Sequence, residues 1–281
     1  GLGAARRRGG TCTLPGDVGG LLGDQDVLRR DSGSDVLLGL VNCGGGTKAF
    51  DEKGHPDKCS RLPTLTSLVA SGQIDILVVP EAHLDADGER EVRTEVGRIS
   101  GKGVEVRVAP GSHHADMVHG GTKSARGTST GVLVLLGPRA SGSLLSVNTQ
   151  RHFVAGRMIH IVLQSSTGPI HIFGVYGVSA PVGWIKESVA KDLHKELERE
   201  LINTEGTGRV VLGDVNGVGE NRDRITGSMN TYDKSSSSLV KLMMDMGFVD
   251  VHRTRLGDKA AFTYVPGGVD TSKIDGTMVS K

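Results

Sequence analysis

A chain of 281 residues suffices for one large domain or two small ones, and 37% hydrophobic with 23% charged residues excludes disorder throughout. The 33 basic and 32 acidic residues leave a net charge of +1, which excludes a histone-like binder acting through a whole-molecule field; attraction to a polyanion must come from local patches. Glycine, at 42 residues, is about twice its ordinary usage of roughly 7%, and aromatics are only 3%, so long loops and an aliphatic core are expected.

Cys12, Cys43 and Cys59 are too few and too scattered for a disulfide framework or a zinc ribbon, which points to a reducing compartment. The first ten residues lack the apolar stretch of a signal peptide, and no run approaches the roughly 18 apolar residues of a membrane span, so the expectation is a protein neither secreted nor inserted. Residues 1–34, rich in Gly, Arg and Asp without periodicity, read as a flexible arm ahead of a domain covering 35–281.

Apolar runs begin at Val36. Val36–Val41 reads as a buried strand ending at Asn42, and Leu62, Leu65, Leu68 and Val69 recur at helical spacing. Ile74–Val79 is a second strand, stopped by Pro80 with Glu81 at its end. Glu89–Ile99 reads as a surface helix and Val104–Val108 as a strand, and the Gly, Ser, His and Thr of 111–130 form a long loop before strand Val132–Leu136. Met158–Leu163 and Ile170–Tyr176 pair through the Ser165–Gly168 turn. Ile185–Leu201 is a helix whose apolar stripe is Ile185, Val189, Leu193 and Leu197. A strand Val210–Leu212 runs into Gly213-Asp214-Val215-Asn216; helix Ser238–Met246 and strands near Phe262–Tyr264 and Ile274–Val279 complete the series.

Some of these strands are adjacent and others are separated by helices. That order favours a mixed two-sheet α/β sandwich over a parallel doubly wound sheet, and continuous apolar runs are expected of strands covered on both faces.

Asn42, Glu81 and the pair Asp214 and Asn216 follow three of these strands. Any one could be an ordinary turn former, but strand ends are where a rigid scaffold assembles sites, and together these are hard oxygen donors of the kind Mg²⁺ prefers.

Seven blocks appear in order: Val41-Asn42, Asp75–Leu84 (DILVVPEAHL), Ile172–Pro181 (IFGVYGVSAP), Val210–Gly217 (VVLGDVNG), Gly247–Arg255 (GFVDVHRTR), Ala261–Tyr264 (AFTY) and Ser272–Lys281 (SKIDGTMVSK). In these the chain resembles the endonuclease/exonuclease/phosphatase superfamily of DNase I and the apurinic endonucleases, and within it the endonuclease domains of LINE-type retrotransposons. The resemblance implies a metal ion, Mg²⁺ or Mn²⁺, at Glu81 and Asn42. It implies Tyr176 on the phosphate, Asp214 activating or orienting the attacking water, Asn216 stabilising the pentacovalent phosphorus, and Asp275 orienting a catalytic His. Thr263 and Ser272 match polar positions near the DNA-binding surface, and Arg222 and Arg224 belong to a set of basic residues, with Lys123, Arg126, Arg151, Arg157, Arg253 and Arg255, suited to gripping phosphates.

The implied function is nicking of double-stranded DNA in the nucleus, to prime a reverse transcriptase region of the same polyprotein. An apurinic endonuclease, a phosphoinositide or lipid phosphodiesterase, and an inactive nucleic-acid-binding remnant are the alternatives. In the family a Ser-Asp-His block follows the SKID strand by some tens of residues, whereas this sequence ends at Lys281. The reading is of a truncated chain that lacks a last strand beside the first one and cleaves more slowly than a chain extended through that block, since general acid/base groups contribute about 10² to 10⁴.

Rival signals are weaker. His113, His114, Asp116 and His119 lie in a Gly/Ser loop without an evident second layer of support, Gly44–Lys48 lacks the order of a phosphate loop, and His194-Lys-Glu196 lacks the Pro-Cys-x-x-Cys of zinc deaminases.

Overall fold

Alternation between two buried faces dictates the architecture. In the computed structural model, which describes residues 36–42, 60–101, 103–111, 130–148, 156–178, 184–217, 238–257 and 275–280, every residue of Ile76–Val79 (β2) and Gly131–Leu136 (β4) is buried. Ile76, Val78, Val132, Val134 and Leu136 face one cluster, and Leu77, Val79, Leu133 and Leu135 face another. A period-2 backbone covered on both sides needs apolar residues at every position, hence the unbroken runs in the sequence.

β2 and β4 are the middle of a sheet ordered β1-β2-β4-β3, with Leu38–Leu40 (β1) parallel to β2, and Glu105–Pro110 (β3) antiparallel to β4. The second sheet is ordered β5-β6-β7-β8-β10-β9: Leu144–Asn148 (β5), Met158–Ser165 (β6), Gly168–Tyr176 (β7), Gly208–Asp214 (β8), Phe248–Asp250 (β9) and Asp275–Ser280 (β10). Only β7 and β8 run parallel in it. The sheets pack face to face through Ile76, Val78, Val134, Ile159, Ile161 and Leu212. This is the expected mixed two-sheet α/β sandwich.

Helices close both outer faces. Leu62–Ala70 (α1) and Ala86–Ser100 (α2) bury Leu62, Leu65, Val69, Val92 and Val96 on the first sheet. A short helix, Pro138–Gly142 (α3), follows β4. On the second sheet, Leu193, Leu197 and Leu201 of Trp184–Asn203 (α4) and Leu239, Leu242 and Met243 of Ser238–Asp245 (α5) pack against Phe173, Val175 and Val211. Each apolar side chain moved fully out of water contributes about 1.5–3 kcal/mol, so these four layers supply the main driving force for folding.

Several boundaries differ from the sequence reading. α2 starts at Ala86 because Asp85 caps it, its carboxylate accepting from the Gly88 N–H at 2.8 Å. β5, α3, β9 and Val251–Leu256 (α6) are additional elements. Among the described residues β1 has a strand on one side only. The arm at 1–34, the strand near Phe262–Tyr264 and most of the loop at 111–130 lie outside the described residues. No helix among the described residues is long and apolar enough to cross a membrane.

Candidate active site

Parallel pairing brings strand ends together. Asn42 and Glu81 leave the carboxyl ends of the parallel pair β1 and β2, with the Val41 N–H still bonded to the Val78 carbonyl. Tyr176 and Asp214 are the last residues of the parallel strands β7 and β8 and stand opposite each other, and antiparallel β10 places Asp275, its first residue, against Asp214. Both sheets therefore deliver polar groups to one rim.

The rim is joined by hydrogen bonds. The Asn42 amide donates to Asp214 Oδ2 at 2.8 Å and to Asp275 Oδ1 at 3.5 Å, linking the first sheet to the second, and it also bonds the Glu81 carboxylate, as does the Tyr176 hydroxyl. Asn216 donates its backbone N–H to Asp214 Oδ1 at 2.8 Å and its side-chain amide to the Gly177 carbonyl at 3.1 Å. Six sequence-derived positions (Asn42, Glu81, Tyr176, Asp214, Asn216 and Asp275) thus meet in one cluster. Thr263, Ser272, Arg222 and Arg224 lie outside the described residues.

Close backbone approach makes this meeting possible. A Cβ on Gly213 would lie 1.9 Å from the Val175 carbonyl oxygen, and one on Gly177 would lie 2.1 Å from that of Val215, so only glycine lets the ends of β7 and β8 draw together. Glu81, His83 and Asn216 have φ of 53°, 54° and 49°, a left-handed backbone rare outside glycine and characteristic of functional sites.

Electrostatics distinguish the carboxylates. Glu81 is held below its usual range chiefly by the hydrogen bond from His83, whose Nε2 is 3.4 Å from Glu81 Oε1, with further bonds from Tyr176 and Asn42; burial opposes this. Asp214 is raised well above the usual range, first by burial and then by the negative charges of Asp275 and Glu81, against the Asn216 N–H and the Arg157 guanidinium. Tyr176 is also pushed up, mainly by burial, so its phenol stays protonated and able to donate.

This donor set fits a hard divalent cation. Three carboxylates share a partly buried rim, and a cation would offset the like charge that, after burial, raises Asp214. Among the described residues no group of three or more His, Cys, Asp or Glu side chains forms a metal cage.

Two neighbours of the site were missed in the sequence as site residues. His83 lies two positions after Glu81 within the quoted DILVVPEAHL block. Arg157, grouped above with possible phosphate contacts, is 2% exposed, and its guanidinium carbon stands 4.8 Å from the Tyr176 ring centroid. A buried guanidinium facing a ring is not a surface charge; its position just before β6 was the only signal.

No protein-family model matches the chain, and no curated protein matches it. Solved structures do. An AP endonuclease, LMAP, from Leishmania major is 16% identical with a TM-score of 0.60, over 86% of this chain and 78% of that one. The 3′-5′ exonuclease NExo from Neisseria meningitidis is 19% identical at 0.53, over 78% and 82%. The endonuclease domain of TRAS1, a telomere-specific non-LTR retrotransposon, is 12% identical at 0.50, over 85% and 82%. At these identities the likeness is one of fold, and with the two flanked mixed sheets it establishes that the chain has the DNase I-like fold of the endonuclease/exonuclease/phosphatase proteins.

Proposed function

We propose that the chain is a metal-dependent phosphodiesterase that nicks double-stranded DNA. The observation that carries this reading is the 2.8 Å bond from Asn42 to Asp214, which ties the two sheets at the rim where Glu81, Tyr176, Asn216 and Asp275 also converge. Hydrolysis of a phosphodiester is in-line attack of water on an anion, so the site must hold the phosphate, orient the water and spread the developing charge.

Each requirement has a residue. Glu81, kept ionised by His83, and Asn42 would hold a Mg²⁺ or Mn²⁺ ion, which when bound supplies charge to offset the phosphoryl oxygens. The Tyr176 phenol, protonated because burial raises it, donates to a phosphate oxygen without adding charge. Asp214 activates or orients the attacking water, and burial with the neighbouring carboxylates raises its affinity for protons. Asn216 is tied to it through its backbone N–H, its side-chain amide, held on the Gly177 carbonyl, stabilises the crowded phosphorus, and Asp275 supplies adjacent negative charge that contributes to raising Asp214.

We read the biological role as nicking of nuclear target DNA to give a 3′ hydroxyl that a reverse transcriptase region of the same polyprotein extends. The ordered sequence blocks and the fold likeness to the TRAS1 endonuclease support this. Thr263, Ser272, Arg222 and Arg224 are the proposed DNA contacts.

Supercoiled plasmid with Mg²⁺ tests the reading. Nicking that is lost in Glu81→Ala is the expected result. Preference for an abasic-site duplex would move the assignment to an apurinic endonuclease, turnover of a phosphoinositide without nicking would move it to a phosphatase, and plasmid retention without cleavage would indicate a binding remnant.

A further inference from the structure

Arg157 is the most deeply buried charge near the site that the reaction above leaves without a role. It immediately precedes β6, and its backbone and side chain both engage the end of β7. The Arg157 carbonyl accepts from the Tyr176 N–H at 2.8 Å, while Arg157 Nη1 donates to the Tyr176 carbonyl at 3.1 Å and to the Gly177 carbonyl at 2.6 Å. The guanidinium plane region also faces the Tyr176 ring, 4.8 Å from its centroid, a cation–π distance.

The Gly177 carbonyl is a shared acceptor. It receives Arg157 Nη1 at 2.6 Å and Asn216 Nδ2 at 3.1 Å, and the Gly177 N–H donates to the Asp214 carbonyl at 2.6 Å. One peptide corner therefore connects the residue proposed to donate to the phosphate, the amide beside the phosphorus, and the strand carrying the base. Nη1 alone meets both carbonyls, which an ammonium could also do; what a lysine lacks is the planar guanidinium that lies by the Tyr176 ring while that nitrogen is so engaged.

We propose that Arg157 is a positioning residue: it locks the Tyr176–Gly177 corner and, through the shared Gly177 carbonyl, fixes the side-chain amide of Asn216, the residue whose backbone N–H holds Asp214, without touching DNA. Its kinetic consequence rests on the nuclease reading; its structural consequence does not. A group 2% exposed and committed to two carbonyls is not available to grip a passing phosphate. Displacing catalytic groups by about 1 Å costs up to roughly 10²-fold in rate, which sets the scale of the effect.

The test compares wild type, Arg157→Lys, Asn216→Ala and the double variant in plasmid nicking at several DNA and salt concentrations, well below their melting temperatures. Arg157→Lys should lower kcat by about tenfold or more, with KM within about twofold and an unchanged salt dependence of binding, because positioning acts on the reacting groups. The double variant should fall little further than the worse single one, since both act through one carbonyl. A raised KM with a salt slope reduced by about one would mean direct phosphate contact and would overturn the proposal. A lowered melting temperature with unchanged kcat would reduce Arg157 to a packing residue and overturn it equally.

A second readout separates this proposal from the nuclease reading. In protein labelled with ¹³C-tyrosine, with Tyr176 assigned through Tyr176→Phe, Arg157→Lys should shift the Tyr176 ring resonances. If wild type nicks nothing, the nuclease reading fails while this spectrum still decides: moved resonances uphold positioning, unmoved ones refute it. Should Arg157→Lys not fold, Asn216→Ala must shift the Arg157 Nε resonance through the shared carbonyl, and an unmoved resonance is the contrary result.

Discussion

Two polar clusters involve the six-stranded sheet, one at the rim and one under α4, and they differ in how charge is balanced. At the rim, Glu81, Asp214 and Asp275 crowd together, and Asp214 is driven well above the usual carboxylate range by burial and by its acidic neighbours. Against α4, His160 is buried and His171 half-buried, but His160 Nε2 and His171 Nδ1 share a hydrogen bond at 2.9 Å and His160 stacks on Phe173 with centroids 4.3 Å apart. Glu200 lies 3.5 Å from His160 Nδ1 and 3.1 Å from Arg199. Burial pushes His160 down to about 4 and lowers His171, so both rings stay neutral near pH 7. One cluster accumulates like charge at strand ends; the other neutralises itself within the fold. Burial combined with neighbouring like charge, which together raise Asp214, marks the rim as a place for chemistry.

Four perturbations sharpen that contrast, in descending order of expected effect. Glu81→Ala should reduce nicking by at least about 10³-fold, since it removes the proposed cation's anchor; a rate within tenfold of wild type would break the site assignment. Gly213→Ala forces a Cβ to within 1.9 Å of the Val175 carbonyl oxygen. Separating β7 from β8 should cost about 3 kcal/mol or more in denaturant unfolding, with activity falling in parallel.

The histidine pair is tested by pH. Unfolded His160 takes up its proton near 6.5 and folded His160 only near 4, so the unfolded chain binds the proton first as pH falls. Stability is therefore complete above about pH 6.5 and is lost progressively toward pH 4, by on the order of 2–3 kcal/mol. His160→Phe should flatten this acid limb of the unfolding curve and leave nicking at pH 8 unchanged; an equally steep limb would show that the ring does not carry it. The smallest effect belongs to a residue in neither cluster. Asp85→Ala removes the cap of α2 and should destabilise by about 1 kcal/mol in denaturant unfolding, without changing nicking.

What was legible in the sequence follows the same physics. β2, β4, β6, β7 and β8 stood out because strands covered on both faces need apolar residues at nearly every position. β5 did not, being an edge strand with Leu145 56% exposed, and β9 and α6 are too short, at 3 and 6 residues, for any period to emerge. Asn42, Glu81, Asp214 and Asn216 could be seen as polar groups closing apolar runs, whereas Tyr176 and Asp275 emerged only through the resemblance. Arg157 and His83 were hidden for a different reason. Local sequence does not distinguish an arginine that turns inward to two carbonyls from one that faces water, nor a histidine whose contact with Glu81 depends on two left-handed residues.

The central claim is that residues from both sheets seat one divalent cation at this rim. Titration of isotopically labelled protein with Mn²⁺, followed by paramagnetic broadening, tests it most directly. Broadening centred on Asn42, Glu81 and Asp214, absent at His160 and His171 and abolished by Glu81→Ala, is the expected result. Broadening centred on the histidine pair, or none at the rim, would contradict it.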